Sequence, residues 1–151
     1  MTDAEEIEME PEERDRFLGT GGTGVLSLST RGDEPPDAVP VSYGYDQTDD
    51  VFYFRISLGP GDDPEDLADR PVTFVAYGTE GEDDRWCSVV ARGRLEDADE
   101  EKIATETLAG MERVDIPLVD VFEEPLRMVS FDFFRLQPDE LTGRTESLVN
   151  D

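Results

Sequence analysis

The sequence predicts a mainly β protein, a small closed antiparallel barrel that carries short helices. Runs of alternating apolar and polar residues, typical of strands with one buried face, recur along the chain between clusters of turn residues. Six such runs are present, and closing them into a barrel removes the edges that apolar strands would otherwise expose. At 151 residues, 36% of them hydrophobic, the chain is expected to form one domain with its own core.

The predicted elements follow one another closely. An acidic, flexible segment over residues 1–10 leads into a single domain over 11–151, which begins with a short helix at 11–18. Strands are predicted at 24–30, 37–46, 51–57, 71–78, 85–97 and 126–138. Two further short helices are predicted at 64–70 and 97–111. Because only short turn clusters separate them, the first three strands should form a meander and the next two a hairpin.

Three glycines near the start of the domain, Gly19, Gly21 and Gly24, have the G-x-G-x-x-G spacing of dinucleotide-binding loops. That motif needs a strand before the glycines and a helix after them, because the N–H groups at the helix N-terminus bind the pyrophosphate. Here the predicted helix precedes the glycines and a strand follows them. We therefore interpret the glycines as a helix C-cap and a tight turn, not as a cofactor loop.

Acidic residues dominate the composition and are spread along the whole chain. There are 39 Asp and Glu against 13 Lys and Arg, with Lys102 the single lysine, which gives a formal net charge of −26. Such a surface repels nucleic acids and anionic membranes, so neither is expected as a partner. It is typical of proteins in concentrated salt, which shortens the Debye length to about 3 Å at 1 M. We expect a cytoplasmic protein of a halophile, without a membrane-spanning run.

The chain contains no histidine and one cysteine, Cys87. The absence of histidine excludes self-contained Ser-His-Asp and Cys-His catalytic sites as well as His-ligated zinc or haem, and no metal site is predicted. Cys87 lies in an apolar strand, where a buried structural thiol is expected.

Alternation assigns several polar and aromatic side chains to the outer faces of two predicted strands, those at 51–57 and 85–97. These side chains are Tyr53, Arg55, Ser57, Trp86 and Ser88. Basic residues are scarce in this chain, so an outward arginine either pairs with a surface carboxylate or binds an anion. Arg55, close to Ser57 near a strand end, is the better candidate for binding an anion.

Four segments, in this order and spacing, resemble a known family. They are VPVSYGYD at 39–46, FYFR at 52–55, RWCSVVARGRLED at 85–97 and ELTGR at 140–144. Together they resemble the pyridoxamine 5′-phosphate oxidase-like FMN-binding split barrels. The resemblance implies a six-stranded antiparallel split β-barrel that forms a homodimer and binds FMN across the subunit interface.

The resemblance also implies which residues contact FMN, although it assigns no catalytic residue. The implied contacts are Ser42 and Tyr43 at the flavin ring, Arg55 and Ser57 near the ribityl phosphate, and Trp86 and Ser88 at the phosphate end. Tyr53, on the same outer face as Arg55, completes the candidate set. Many relatives carry a cation in the loop that reads LGPGDDPEDL here, at 58–67, so Arg55 is left as the main cation for the phosphate.

The function implied by the resemblance is an FMN-dependent oxidoreductase that acts on a small molecule, such as a nitroaromatic or quinone-like compound. A deazaflavin-dependent reductase and a non-enzymatic dimeric flavin-binding or structural module are the alternatives. Pyridoxamine phosphate oxidase activity itself is disfavoured, because the phosphate of that substrate needs a basic cluster that the sequence lacks.

Three large rings, Tyr43, Tyr53 and Trp86, are assigned to outer or mixed positions by the same reasoning. Leaving such rings exposed together is costly, and a second copy of the chain is expected to cover them in a homodimer.

Overall fold

The computed structural model of the chain describes residues 3–30, 32–58, 67–82, 84–97 and 130–149. Within these ranges the chain forms one helix and eight strands. They are β1 (Asp3–Glu8), α1 (Pro11–Leu18), β2 (Gly21–Leu28), β3 (Asp37–Asp46), β4 (Val51–Leu58), β5 (Pro71–Glu80), β6 (Arg85–Asp97), β7 (Ser130–Leu136) and β8 (Glu140–Val149). No helix among the described residues is long and apolar enough to cross a membrane.

Six of the strands close into an antiparallel barrel. Their order is β6-β5-β2-β3-β4-β7, and β7 pairs with both β4 and β6, which closes the ring. The long strand β6 takes part in two pairings on one side, since residues 86–92 pair with β8 and residues 95–97 pair with β7. The predicted six-stranded barrel, its meander β2-β3-β4 and its hairpin β5-β6 are confirmed.

Two further strands extend the sheet beyond the barrel, β8 next to β6 and β1 at the outer edge. Neither strand is predicted from the sequence, and residues 3–8, within the segment that is expected to be flexible, pair with β8 along their whole length. Apolar residues are sparse in both strands, so the alternation that indicates a strand is weak there. These two strands are instead held in an extended conformation by pairing with a neighbouring strand.

Helix α1 has the predicted bounds and ends at Gly19, whose N–H donates to the Asp15 carbonyl over 2.9 Å. Gly19 adopts φ 61° and ψ −147°, a conformation essentially restricted to glycine. The predicted order of helix, glycines and strand is therefore confirmed. A turn at Gly19 and Thr20 leads directly into the strand, as predicted, but β2 begins at Gly21 and not at residue 24, with Gly21 and Gly22 opposite Gly44 and Tyr43 of β3.

Gly24 has a packing role inside the sheet. A Cβ atom at this position would lie 2.5 Å from the Val75 carbonyl oxygen and 2.6 Å from the Phe74 ring. Only glycine permits β2 and β5 to approach this closely. Gly19 thus serves the helix end and Gly24 serves the barrel packing, which agrees with the interpretation of these glycines as structural.

Several predicted elements lie wholly or partly outside the described residues. The predicted helix at 97–111 is in this group, as is most of the predicted helix at 64–70, of which 67–69 form a turn. The predicted strand at 126–138 is described from residue 130, and β7 ends at Leu136.

Aromatic rings fill much of the barrel interior. Neighbouring ring centroids are 4.8 to 6.2 Å apart, mostly in tilted or edge-to-face contacts, which suit the ring quadrupoles. These rings belong to Tyr43, Tyr45, Phe52, Phe54 and Phe74. Because β3 and β4 supply four of them, the inner faces of the two strands are committed to the core and only their outer faces remain for a ligand.

A partly buried polar network ties α1 to the turn between β3 and β4. The Tyr45 hydroxyl lies 2.8 Å from Asp15 Oδ1 and 2.7 Å from Asp50 Oδ1. Arg14 Nη2 lies 3.2 and 3.4 Å from the same two oxygens. Burial raises the pKa of the Tyr45 phenol far above its ordinary value, so the hydroxyl stays protonated and can donate. The helix is thereby held against one end of the barrel.

Candidate functional site

The outer face of β3 and β4 brings three of the predicted residues together. Ser42 of β3 and Arg55 of β4 are direct cross-strand partners, and the next pair along is Gly44 with Tyr53. Cross-strand partners share a face of the sheet, so Ser42, Tyr53 and Arg55 lie on one surface. Ser42 is buried and Arg55 is half-buried. A hydroxyl beside a guanidinium is a donor set that suits a phosphate or another anion.

Strand β7 adds a second arginine to this face. Phe133 is the cross-strand partner of Arg55, and Arg135 is the partner of Tyr53, which places the backbones of Arg55 and Arg135 diagonally about 7–8 Å apart. Arg135 is buried, and Glu96 of β6 lies opposite it. The sequence analysis does not single out Arg135. The alternation of Phe134 and Leu136 toward the core is the signal that would have placed it outward.

Tyr43 occupies a different place from the one predicted. Its side chain lies in the barrel interior, 4% exposed, and its hydroxyl donates to the Leu18 carbonyl over 3.0 Å. Gly22, directly opposite, makes room for the ring, since a Cβ there would lie 3.1 Å from the Tyr43 hydroxyl. The assignment of Tyr43 to an outer or mixed position is therefore wrong, and only its backbone is left to border a ligand on the outer face.

Burial raises the pKa of the Tyr43 phenol from its ordinary value to about 12. In the unfolded chain this phenol ionises near pH 10, so the stabilisation is fully present below pH 10 and is lost between about pH 10 and 12. We expect the free energy of unfolding to fall by roughly 2–3 kcal/mol over that range through Tyr43, with Tyr45 adding to the fall. Denaturant titrations at about pH 9 and about pH 12 measure it.

The variant Tyr43→Phe should show a smaller alkaline fall than the wild type, even though losing the hydrogen bond to Leu18 lowers its stability at every pH. Tyr77→Phe is the matched control, because Tyr77 is exposed. An alkaline fall that is the same in the wild type and in Tyr43→Phe would show that Tyr43 titrates freely in the folded protein.

Tyr53 is buried as well, only 2% exposed, although it lies on the outer face. The chain itself therefore covers both Tyr43 and Tyr53, and the expectation that a second copy must cover these two rings is wrong. Alternation shows which face a side chain occupies, but it does not show what else in the chain packs on that face. Of the three rings, Trp86 alone remains exposed, at 41%.

Trp86 and Ser88 lie on the outer face that β6 shares with β5 and β8. Ser88 is half-buried and opens onto a groove of about 280 Å³, and its partners across the two pairings are Tyr77 and Arg144. The groove is lined by Ser88, Val90, Arg92, Glu140, Thr142 and Arg144. Four of these residues carry hydroxyl or guanidinium donors, and among them only Ser88 is predicted from the sequence as a contact of the ligand. The alternation in ELTGR, with Leu141 and Gly143 facing inward, would have placed Thr142 and Arg144 outward.

The barrel does not bring the two groups of predicted residues together within one chain. In the ring of strands, β3 lies three positions from β6 in either direction, through β2 and β5 or through β4 and β7. The face with Ser42 and Arg55 and the face with Trp86 and Ser88 are thus on different sides of the barrel. One site that contains both groups would need two chains.

Two further predictions concern the end of β4. Ser57 belongs to β4 and is paired with Phe131 of β7, but its side chain lies outside the described part of the structure, as do residues 59–66 of the loop after the strand. The implied proximity of Ser57 to a phosphate stays a prediction. Asp62 and Asp63, in the loop where many relatives carry a cation, are expected to weaken binding of a phosphate, and this stays a prediction as well.

Cys87 is buried at 2% exposure, which confirms the prediction of a buried thiol. Its Sγ lies 3.6 Å from the Arg85 carbonyl oxygen, and burial raises the pKa of the thiol. A buried thiol with a raised pKa is a poor nucleophile, so Cys87 has a packing role.

The sequence matches the family described as pyridoxamine 5′-phosphate oxidase over residues 10–145, which is most of the chain and includes every strand of the barrel. The chain belongs to this family. No curated protein sequence matches it significantly.

Solved structures similar to this member of the pyridoxamine 5′-phosphate oxidase family share its fold at low sequence identity. A FAD-binding protein from Mycobacterium smegmatis is 18% identical with a TM-score of 0.64, over 92% of this chain and 98% of that one. A FAD-binding protein from Mesorhizobium loti is 22% identical with a TM-score of 0.64, over 94% and 99%. A FAD- and haem-binding protein from M. smegmatis is 16% identical with a TM-score of 0.52, over 92% and 72%.

Proposed function

We propose that this chain is an FMN-binding flavoprotein and an oxidoreductase that acts on a small molecule, in the cytoplasm of a cell with high internal salt. The observation that carries the proposal is the pairing of Ser42 with Arg55 on the outer face of β3 and β4, beside the buried ring of Tyr53. This face also holds Arg135, a second positive charge in a chain whose formal net charge is −26. Membership of the family supports a flavin as the ligand.

The residues present fit a flavin mononucleotide. Arg55 would meet the phosphate with a charge-assisted hydrogen bond, and Ser42 with the backbone of Tyr43 would border the ring. A bound flavin supplies hydride and electron transfer, and the protein supplies binding, orientation and control of the flavin's electronics. Burial of Ser42 and Tyr53 excludes water from the floor of this face. None of these roles needs histidine, which the chain lacks.

The proposal is tested on protein purified in molar salt, by its visible absorption spectrum and by chromatography of the flavin released on denaturation. FMN is the expected cofactor, and turnover of a nitroaromatic or quinone acceptor with a reduced nicotinamide is the expected activity. Protein that carries no flavin and binds none on titration would contradict the proposal. Bound flavin without any turnover would favour the non-enzymatic module, and a bound deazaflavin the corresponding reductase.

FAD is the second candidate cofactor, because the three similar structures described above are those of FAD-binding proteins, one of which also binds haem. The chromatogram distinguishes the two flavins directly. Titration with each flavin then shows whether the adenylate half of FAD adds to the affinity or adds nothing.

We further propose a homodimer in which the face with Ser42 and Arg55 of one chain meets the face with Trp86 and Ser88 of the other. The positions of these faces on different sides of the barrel support this arrangement, which would occur twice by two-fold symmetry. Light scattering in molar salt should give twice the 16.9 kDa mass of one chain. A mass of 16.9 kDa would contradict the dimer.

A mixing experiment tests whether the site is shared between two chains. Arg55→Ala and Trp86→Leu should each weaken FMN binding as homodimers, because every site then has one defective half. After the two variants are unfolded together and refolded, mixed dimers carry one intact site and should regain part of the tight binding. A mixture that binds no better than its parents would contradict a site shared between two chains.

A further inference from the structure

Two exposed rings form a continuous aromatic surface on the barrel. Tyr77 of β5 is 56% exposed and Trp86 of β6 is 41% exposed, and their ring centroids lie 5.7 Å apart with an angle of 34° between the planes. Tyr77 is the partner of Ser88 and Trp86 is the partner of Thr79, so the two rings are diagonal neighbours on one face. We call this surface the Tyr77–Trp86 platform.

The charges around the platform are unevenly balanced. Glu146 of β8 is exposed and lies directly opposite Trp86, and its partner on its other side is Glu6 of β1. Two arginines farther along the same face lie opposite carboxylates: Arg144 opposite Glu8, and Arg92 within 3.6 Å of Glu140. Glu146, which adjoins the platform, therefore has no positively charged cross-strand partner.

We propose that the Tyr77–Trp86 platform binds planar organic cations, of the class of N-alkylated pyridinium compounds. The negative faces of aromatic rings attract a cation, and Trp is the strongest of the aromatic side chains in this respect. Glu146 and the formal net charge of −26 attract the same sign of charge and repel anions. Since Trp86 is also a candidate residue of the flavin site, the proposal names a substrate class for that site and rests on the proposed function to that extent.

The charge preference is measured with three ligands that share one ring: 1-methylnicotinamide, which is cationic, nicotinamide, which is neutral, and nicotinate, which is anionic. Trp86 is the single tryptophan of the chain, so quenching of its fluorescence reports binding at the platform. In molar salt we expect 1-methylnicotinamide to bind about two- to fivefold more tightly than nicotinamide, and nicotinate to bind most weakly. Equal affinities, or tighter binding of nicotinate, would overturn the proposal.

Two matched variants on β8 locate the source of the preference. Glu146→Gln removes the carboxylate opposite Trp86 and should lower the ratio of the cation affinity to the neutral affinity by about twofold. Glu140→Gln removes an exposed carboxylate of the same strand that pairs with Arg92, and it should leave the ratio unchanged. Equal effects of the two variants would assign the preference to net charge alone and overturn a site at the platform.

FMN titration of the same preparations separates the two proposals. Protein that binds FMN but shows no preference among the three ligands would overturn the platform proposal and leave the flavin proposal standing. Protein that prefers the cation, with a dependence on Glu146, but binds no flavin would retain the platform as a cation site and overturn the flavin proposal.

Discussion

Transfer of this protein from molar salt into dilute buffer is expected to abolish most of its β-sheet circular dichroism. The reason is that dilute buffer no longer screens the formal net charge of −26, because the Debye length grows from about 3 Å at 1 M salt to about 30 Å at 0.01 M. In dilute buffer each carboxylate would repel most of the others across the whole barrel. One close approach of acidic residues adds to this, that of Asp15 and Asp50 around the Tyr45 hydroxyl.

A control without ions distinguishes screening from a general stabilisation of the compact state. Sucrose in dilute buffer favours burial of surface but does not screen charge, so it should not restore the fold, whereas returning the salt should. Circular dichroism and light scattering that are unchanged in dilute buffer would contradict both the salt requirement and the proposed halophilic setting.

Arg55→Ala is expected to weaken FMN binding by about ten- to more than a hundredfold, because a charge-assisted hydrogen bond contributes roughly 1.5–3 kcal/mol. Arg55 lies on the outer face of β4, while Phe54 and Ile56 face the core, so the fold should survive the substitution. Riboflavin, which lacks the phosphate, should bind the wild type more weakly than FMN does and be nearly indifferent to the change. Quenching of flavin fluorescence in molar salt measures all four affinities.

Arg16→Ala is the matched control for Arg55→Ala. Arg16 is an exposed arginine of α1 that pairs with Glu80, and it belongs to neither group of predicted site residues. Its loss should leave FMN affinity within about twofold of the wild type. Equal binding of FMN and riboflavin by the wild type, or FMN binding by Arg55→Ala as tight as that of the wild type, would remove Arg55 from the phosphate site.

The strands with a regular alternation of apolar residues were predictable to within a few residues. The bounds of β3 and β6 are those predicted, and α1 is predicted at both ends by Pro11 and by Gly19. β1 and β8 were not predictable in the same way, because their order depends on pairing with a neighbour. Gly22 shows the same limit, since a glycine that indicates a turn locally is required in a strand by the Tyr43 ring opposite it.

The candidate site was predictable in its residues but not in its arrangement. Alternation correctly placed Arg55 and Trp86 on outer faces, because the period of a strand is a local property. It did not show that Tyr53 would be covered within the chain. Nor did it show that Arg135 would lie on the face with Arg55 and Arg144 on the face with Ser88. Those facts depend on which strands are neighbours, and neighbours in the barrel are distant in sequence.

By itself the sequence determined the class of fold, the family and the strongly acidic character of the surface, since each follows from local periodicity, ordered motifs or a sum of charges. The tertiary structure alone decided that Tyr43 points inward and that the two groups of predicted site residues lie on different sides of the barrel. The physical reason is that burial and proximity are set by closure of the sheet. Closure pairs β7 with β6, so that the outer faces of β3 and β6 lie on different sides of the barrel.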